Sequence, residues 1–240
     1  RYIELREKIK VEKDVNEKNK LMTLLRVHKL RGKAFFNKLR EEKDDMVTLS
    51  FDCQKNLVNP EVPDQLAYYS RQLYTYNFTI VQGSSKNKLN EDNVFIYTWT
   101  ENKYAKGSNE ICSALFHCLS QIDLSPYKVI RLCADGCGGQ NRNSTMINML
   151  SYFLLKTAPP GIKKIELIFP IPGHSFLPSD RVFGVIEKEL RKMPTICHPD
   201  EYITVFEKHG TVRKLGTDCV VRDWKTATSQ FLKRVGLWHF

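Results

Sequence analysis

Hydrophobic and polar positions alternate with a period of two in several short stretches, and between these they repeat with a helical period. Met46-Val-Thr-Leu-Ser-Phe-Asp-Cys53 puts Val47, Leu49 and Phe51 on one face and Thr48, Ser50 and Asp52 on the other, which predicts a strand. Further strands are expected near 73–82 and 93–100, joined by the polar loop Gly83-Ser-Ser-Lys-Asn-Lys-Leu-Asn-Glu-Asp92. The stretch containing Pro60 and Pro63 reads as irregular. A helix follows near 108–121 with Ser108 or Asn109 as its cap. Next come a strand at 127–134, a helix at 143–157, a strand at 163–171 and a helix at 179–192 capped by Ser179. The order β-β-β-α-β-α-β-α sets an antiparallel meander ahead of two crossover units. It predicts an α/β fold with a mixed five-stranded sheet and helices on both faces.

The ends of the chain have their own rhythms. Residues 1–45 are rich in charge and contain no Pro and one Gly, so they read as one long helix or two shorter ones. Within them, 18–40 holds eight Lys and Arg and no Asp or Glu. Leu21, Leu24, Leu25, Val27 and Leu30 recur at helical spacing, which predicts an amphipathic basic helix packed on the main body. Residues 194–240 form a mixed extension, with a helix at 199–208, a short strand pair near 211–222 and a final helical segment. The organisation is thus a basic helical segment at 1–45, a core at 46–193 and an α/β extension at 194–240 packed on it.

Composition narrows the function. A chain of 240 residues can bury a substantial core. Lys and Arg number 37 against 27 acidic residues, a net +10 that suits a polyanion such as nucleic acid. The seven cysteines are odd in number and include no CxxC pair. Free buried thiols in a reducing, intracellular setting are therefore expected, rather than a disulfide framework or zinc ribbon. Cys133 and Cys137 flank Asp135 at a spacing poorly suited to zinc. No apolar run reaches the ~20 residues that a bilayer span needs, and no signal peptide is visible. The opening Arg-Tyr-Ile, without Met, suggests a fragment of a longer protein, and the sequons at Asn77 and Asn143 read as chance.

The chemistry-bearing stretch is Asp135-Gly-Cys-Gly-Gly-Gln-Asn-Arg-Asn143, directly after an apolar strand. A carboxylate at a strand end is rigidly held, and Gly136, Gly138 and Gly139 let the backbone turn sharply or approach a ligand. Gln140, Asn141 and Asn143 add donors and acceptors where a helix begins. Asp52 occupies the same kind of strand end. A third acidic group follows the strand near 165–171, where Asp180 sits in the first turn of a helix and Glu187 lies seven residues on. Strand-end carboxylates joined by helical ones form a usual scaffold for two Mg²⁺ or Mn²⁺ ions, which need oxygen ligands and clamp the oxygens of a phosphoryl transfer. No GxSxG elbow, Walker-type loop or Cys–His pairing supports the other common hydrolases.

The acid order resembles the ribonuclease H-like fold. More closely, FDCQKN, GSNEICSALFHCL, CADGCGGQNRN and PGHSFLPSDRVFGVIEK resemble an uncharacterised transposase-derived family abundant in insects and cnidarians. The resemblance covers roughly 20–210 and implies a DDE/D-type core in a nuclear, DNA-acting protein that can self-associate and does not bind membranes. It assigns Asp52 to the first-strand acid, Asp135 to the second and Asp180 to the third, with Glu187 as the alternative third. It makes Glu110 a further metal-ligating acid, or else the acid of a capping box, and lets His174 assist proton transfer or product release, or else serve as a structural loop residue. Lys29, Arg31, Lys33, Lys38, Lys55 and Arg142, with Gln140 and Asn141, are the expected nucleic-acid contacts.

Overall fold

The computed structural model describes residues 2–61 and 71–229, so the irregular stretch around Pro63 and any helix beyond 229 lie outside the described residues. Two helices open the chain, α1 (Tyr2–Val11) and α2 (Val15–Arg40), and Asp14 caps the second by accepting from the N–H groups of Asn16 and Glu17. Strands β1 (Met46–Cys53), β2 (Leu57–Asn59), β3 (Leu73–Gln82) and β4 (Val94–Thr100) lead to α3 (Ser108–Gln121). Strand β5 (Val129–Ala134) is followed by α4 (Ser144–Tyr152), which runs into a π-helical turn at Phe153–Thr157. Then come β6 (Lys164–Ile168), α5 (Pro178–Leu190), α6 (Pro199–Phe206), β7 (Thr211–Lys214) and α7 (Trp224–Ser229).

The sheet has seven strands in the order β6–β5–β1–β3–β4–β7, with β2 also paired to β3. Five were expected. The two additions are short: β2 has three residues ahead of Pro60, too few to show alternation, and β7 joins parallel to β4. Only the first member of the expected pair near 211–222 forms; Gly216, at φ +85°, then turns the chain into a single bridge between Leu215 and Cys219. Strands β1 and β2 lie end to end along the same edge of β3, separated by Gln54–Asn56. From the central β1 the meander runs one way through β3 and β4, while the crossovers run the other way through β5 and β6, both parallel to it. The order therefore reverses between β1 and β5, and open α/β sheets bind ligands at the carboxyl ends of strands at such a point.

Helices cover both faces. On one, Val47, Leu49, Phe51, Phe78, Ile80, Ile130 and Leu132 pack with Ile111, Leu115, Met146, Met149 and Trp224. On the other, Val81, Val94 and Ile96 meet Val182 and Ile186 of α5 and Tyr202 and Phe206 of α6. Each such side chain removed from water contributes about 1.5–3 kcal/mol before entropy is counted. Asn77 is 0 % exposed in β3 and donates to Gln54 Oε1 at 2.9 Å, so its sequon lies in the core. All seven thiols are free.

The basic helix packs differently from its periodicity. Gly32, Phe35 and Leu39 are its buried residues, and Phe35 and Leu39 rest on Cys133 and Leu177. Leu24, Val27 and Leu30 are exposed, and α1 packs along α2 instead. Its C-terminal end is clamped by Arg131 of β5, which is 2 % exposed. That guanidinium donates to Glu41 at 2.6 Å, Glu166 at 2.9 Å and the Lys38 carbonyl at 3.2 Å.

Candidate active site

The register aligns the two strand-end acids. Phe51 pairs with Ala134 across the parallel β1–β5 ladder, so Asp52 and Asp135 follow side by side at the switch point. Asp52 also pairs with Thr79 of β3, one residue before β1 ends. Helix α5 crosses the same sheet face, packing on β1 and β3, and brings Asp180 to these strand ends in its first turn.

The electrostatics tie the three acids together. Burial, then the Asp135 charge, then Asp180 push the Asp52 carboxyl up to about 7, against the Cys53 N–H and Lys106, which pull it down. Asp180 is also raised, by burial and by Asp135, with the Leu177 N–H opposing. Each carboxylate commits one oxygen: Asp52 Oδ1 accepts from the Cys53 N–H at 2.7 Å, and Asp180 Oδ2 from the Leu177 N–H at 2.8 Å. Asp135 Oδ1 accepts from the Asn141 amide and, at 3.3 Å, from the Cys137 N–H. The second oxygen of each accepts no hydrogen bond among the described residues.

The glycine-rich segment both turns and stays open: residues 138–141 form a turn in which the N–H groups of Gln140, Asn141 and Arg142 all donate to the Cys137 carbonyl. None of Gly136, Gly138 and Gly139 has positive φ, so this turn uses no left-handed residue. A Cβ at 136 or 139 would meet no atom within 4 Å, so the surface above Asp135 is left bare for a close approach. Asn143 caps α4 by accepting from Met146 and donates to the Gly138 carbonyl and Ser108 Oγ; Ser108 in turn donates to the Gly139 carbonyl. The segment is thus laced to the start of α3.

Other expected residues fall elsewhere. Glu110 closes a cap, accepting from the Gly107 N–H at 3.2 Å, so Gly107 and not Ser108 or Asn109 is the cap residue. Ser179 likewise is no cap: α5 starts at Pro178, whose missing N–H suits a first helical position, and Ser179 is buried. Glu187 pairs with Lys55 at 3.4 Å and Arg191 at 3.8 Å. The His174 ring lies edge-on to His28 of α2, with centroids 5.0 Å apart, and edge-on to Tyr2 at 6.1 Å. It fills the space that Gly32 leaves, where a Cβ would stand 2.9 Å from its Nδ1. Arg142 is exposed, with its guanidinium 6.0 Å from the Phe169 ring centroid. Lys29, Arg31, Lys33 and Lys38 are exposed on α2, and Lys38 pairs with Glu41 at 3.1 Å. A concavity of about 540 Å³, lined by Glu41, Thr48, Gly83 and Asn87, opens at the far end of β1 from Asp52.

One contributor had no sequence signal. Lys106 precedes α3, donates to the Gln54 carbonyl at 2.8 Å and Asn56 Oδ1 at 3.0 Å, and sits 5.6 Å from the Tyr76 ring centroid. It holds the gap between β1 and β2 and is the cation that opposes the rise of Asp52.

A family model described as a domain of unknown function, DUF7869, matches residues 78–235. The chain belongs to this family. No curated protein and no solved structure matches it. The DUF7869 match opens within β3, so it takes in Asp135 and Asp180, while Asp52, α1 and α2 precede it. Among the described residues no helix is long and apolar enough to cross a membrane.

Proposed function

We propose that this DUF7869 protein is a divalent-metal-dependent phosphodiester-cleaving or strand-transferring enzyme acting on DNA in the nucleus, with a transposase-derived, ribonuclease H-like core. The observation that carries the reading is the side-by-side position of Asp52 and Asp135 at a topological switch point, with Asp180 close enough to interact with both. The strand order β4–β3–β1–β5–β6, with one acid on the central strand and the next on its parallel neighbour, supports the same assignment.

The donor set fits a hard cation: three carboxylates, each with an oxygen not engaged by the described residues, and no sulfur or imidazole among them. Beside them Asn141 Oδ1 is buried without a hydrogen-bond partner among the described residues, an acceptor that a bound group would satisfy. Asp52, Asp135 and Asp180 would hold Mg²⁺ or Mn²⁺, two ions being expected, which supplies charge stabilisation for the attacking and leaving oxygens. The protein's part is orientation. Asn141 and the Cys137 N–H fix Asp135, Lys106 fixes the segment after Asp52, and the bare glycine surface admits a phosphate backbone. Lys55 and Arg142, flanking the acids in sequence, suit phosphate contacts that position without reading sequence.

A second reading has its own observation. Among the described residues no group of three His, Cys, Asp or Glu side chains is spaced to hold a metal ion. That favours a domesticated, non-catalytic descendant which binds nucleic acid or a protein through the same scaffold. A Mn²⁺-dependent nicking assay on supercoiled DNA, run beside binding by fluorescence anisotropy, separates the two. Nicking by the wild type, lost in Asp52→Asn and Asp135→Asn while binding stays equal or tightens, supports the enzyme. Binding with no nicking under any divalent metal supports the second reading.

A further inference from the structure

We propose that Phe176 is a stacking platform for a nucleobase, so that the strand lying over the carboxylates is unpaired there. This rests on the nucleic-acid reading above and adds the form of the substrate. Phe176 is 74 % exposed, the most exposed aromatic side chain among the described residues. An exposed ring gives up the burial that aromatic residues usually supply, and this one stands next to the carboxylates.

Its exposure is not that of a loose loop. Two residues earlier, His174 is wedged against α2 at Gly32 and against the rings of His28 and Tyr2. Immediately after it, Leu177, Pro178 and Ser179 are buried, and Leu177 packs with Phe35, Leu39 and Cys133. Phe176 therefore stands between two anchors that have taken the neighbouring side chains inward. The following peptide also fixes it to the site. The Leu177 N–H donates to Asp180 Oδ2 at 2.8 Å, which puts the Phe176 main chain one peptide from that carboxylate.

The surroundings choose the occupant. One basic side chain, Lys106, acts directly on the acid cluster, and three more lie near its members in sequence: Lys55, which pairs with Glu187, Arg142, which lies over the Phe169 ring, and Arg181, which donates to the Asn87 carbonyl. An apolar protein segment would gain little from a chain of net charge +10 with Lys106 beside its acids, whereas a strand that presents a phosphate and a flat base at each step matches both the charge and the exposed ring. Stacking on an aromatic side chain tolerates every base and is ruled out in a continuous duplex, whose bases already stack on one another.

The test uses the whole chain in metal-free buffer and fluorescence anisotropy. The probes are a short oligothymidylate, an oligouridylate of equal length and a duplex of the same length. Phe176→Ala should weaken binding of the single strands about 5- to 100-fold, the effect of losing one stacked base, and leave the duplex within about twofold. Phe176→Trp should keep the affinity, and its added fluorescence should be quenched by either single strand. The two single strands tell DNA from RNA, and a fall for both supports the platform. Equal losses for single strand and duplex, or no loss, overturn it while leaving the nucleic-acid reading standing. A wild type that binds none of the three probes removes that reading and the platform with it. Self-association of the wild type in light scattering, abolished by Phe176→Ala, would instead assign the ring to a second copy.

Discussion

Asp52 is held where its charge is unwelcome, and this should register in stability. Its carboxyl titrates near 7 in the fold against about 3.8 in an unfolded chain, so the folded state favours the protonated form. Below about pH 3.8 both states are protonated and nothing is lost. As pH rises toward and past 7 the folded protein must ionise a group that burial and Asp135 oppose, and stability falls. Asp52→Asn should therefore stabilise the metal-free protein by about 1–4 kcal/mol at pH 8 and by almost nothing at pH 3.5. Thermal melts at the two pH values check this; an unchanged midpoint at pH 8 would show that the acids do not repel one another as argued. Asp52 and Asp135 could be read from sequence because each ends an apolar strand, and strand ends are visible as patterns. Lys106 could not, since its partners Gln54 and Asn56 lie far along the chain and meet it only once the sheet is assembled. For His174 the sequence leaves a chemical role and a structural loop role both open. The ring is claimed by a gap at Gly32 that no periodicity reveals.

At the scale of elements, one buried cation joins the basic helix to the sheet. Hydrogen bonding to Arg131, then to Lys43 and Lys38, lowers the Glu41 carboxyl from 4.5 to about 2. The sign is the ordinary one for a depressed acid. The stabilisation is complete above about pH 4.5 and disappears as pH falls through 2. Arg131→Met should cost about 2–4 kcal/mol at neutral pH, at or below the usual range for breaking a buried pair because Glu41 and Glu166 keep some access to water. Urea unfolding gives the loss. Repeating it near pH 2.5 should show a smaller one, and an equal loss at both pH values would mean that Arg131 acts only through packing. Most elements were legible, from the strand at 46–53 to the helices at 108–121 and 199–206, because alternation and helical period differ over such lengths. The three residues of β2 carry no period, and Leu24, Val27 and Leu30 of α2 have the right period but stay exposed while α1 packs along the helix. Periodicity locates an apolar face without naming what covers it.

For the molecule as a whole, the charge is divided in a way that composition alone hides. The net +10 includes a cationic surface on α2 well before the acids in sequence, and Lys29, Arg31 and Lys33 all face solvent. Counterion release then predicts sequence-independent DNA binding that weakens steeply with salt, and removing Arg31 and Lys33 together should flatten the slope by up to about two units. Anisotropy over a salt series measures it, and an unaltered slope would leave α2 as ordinary solvated surface. The contact at Gly32 gives this arrangement a further meaning. Because no side chain separates α2 from the His174 ring, the cationic helix and the loop that leads to Asp180 are seated directly on each other. Grip and blade then share one frame. On the nucleic-acid reading the molecule is a gauge, in which the number of nucleotides between the point where a strand is held and the point where it is cut is set by the backbone and not by the substrate.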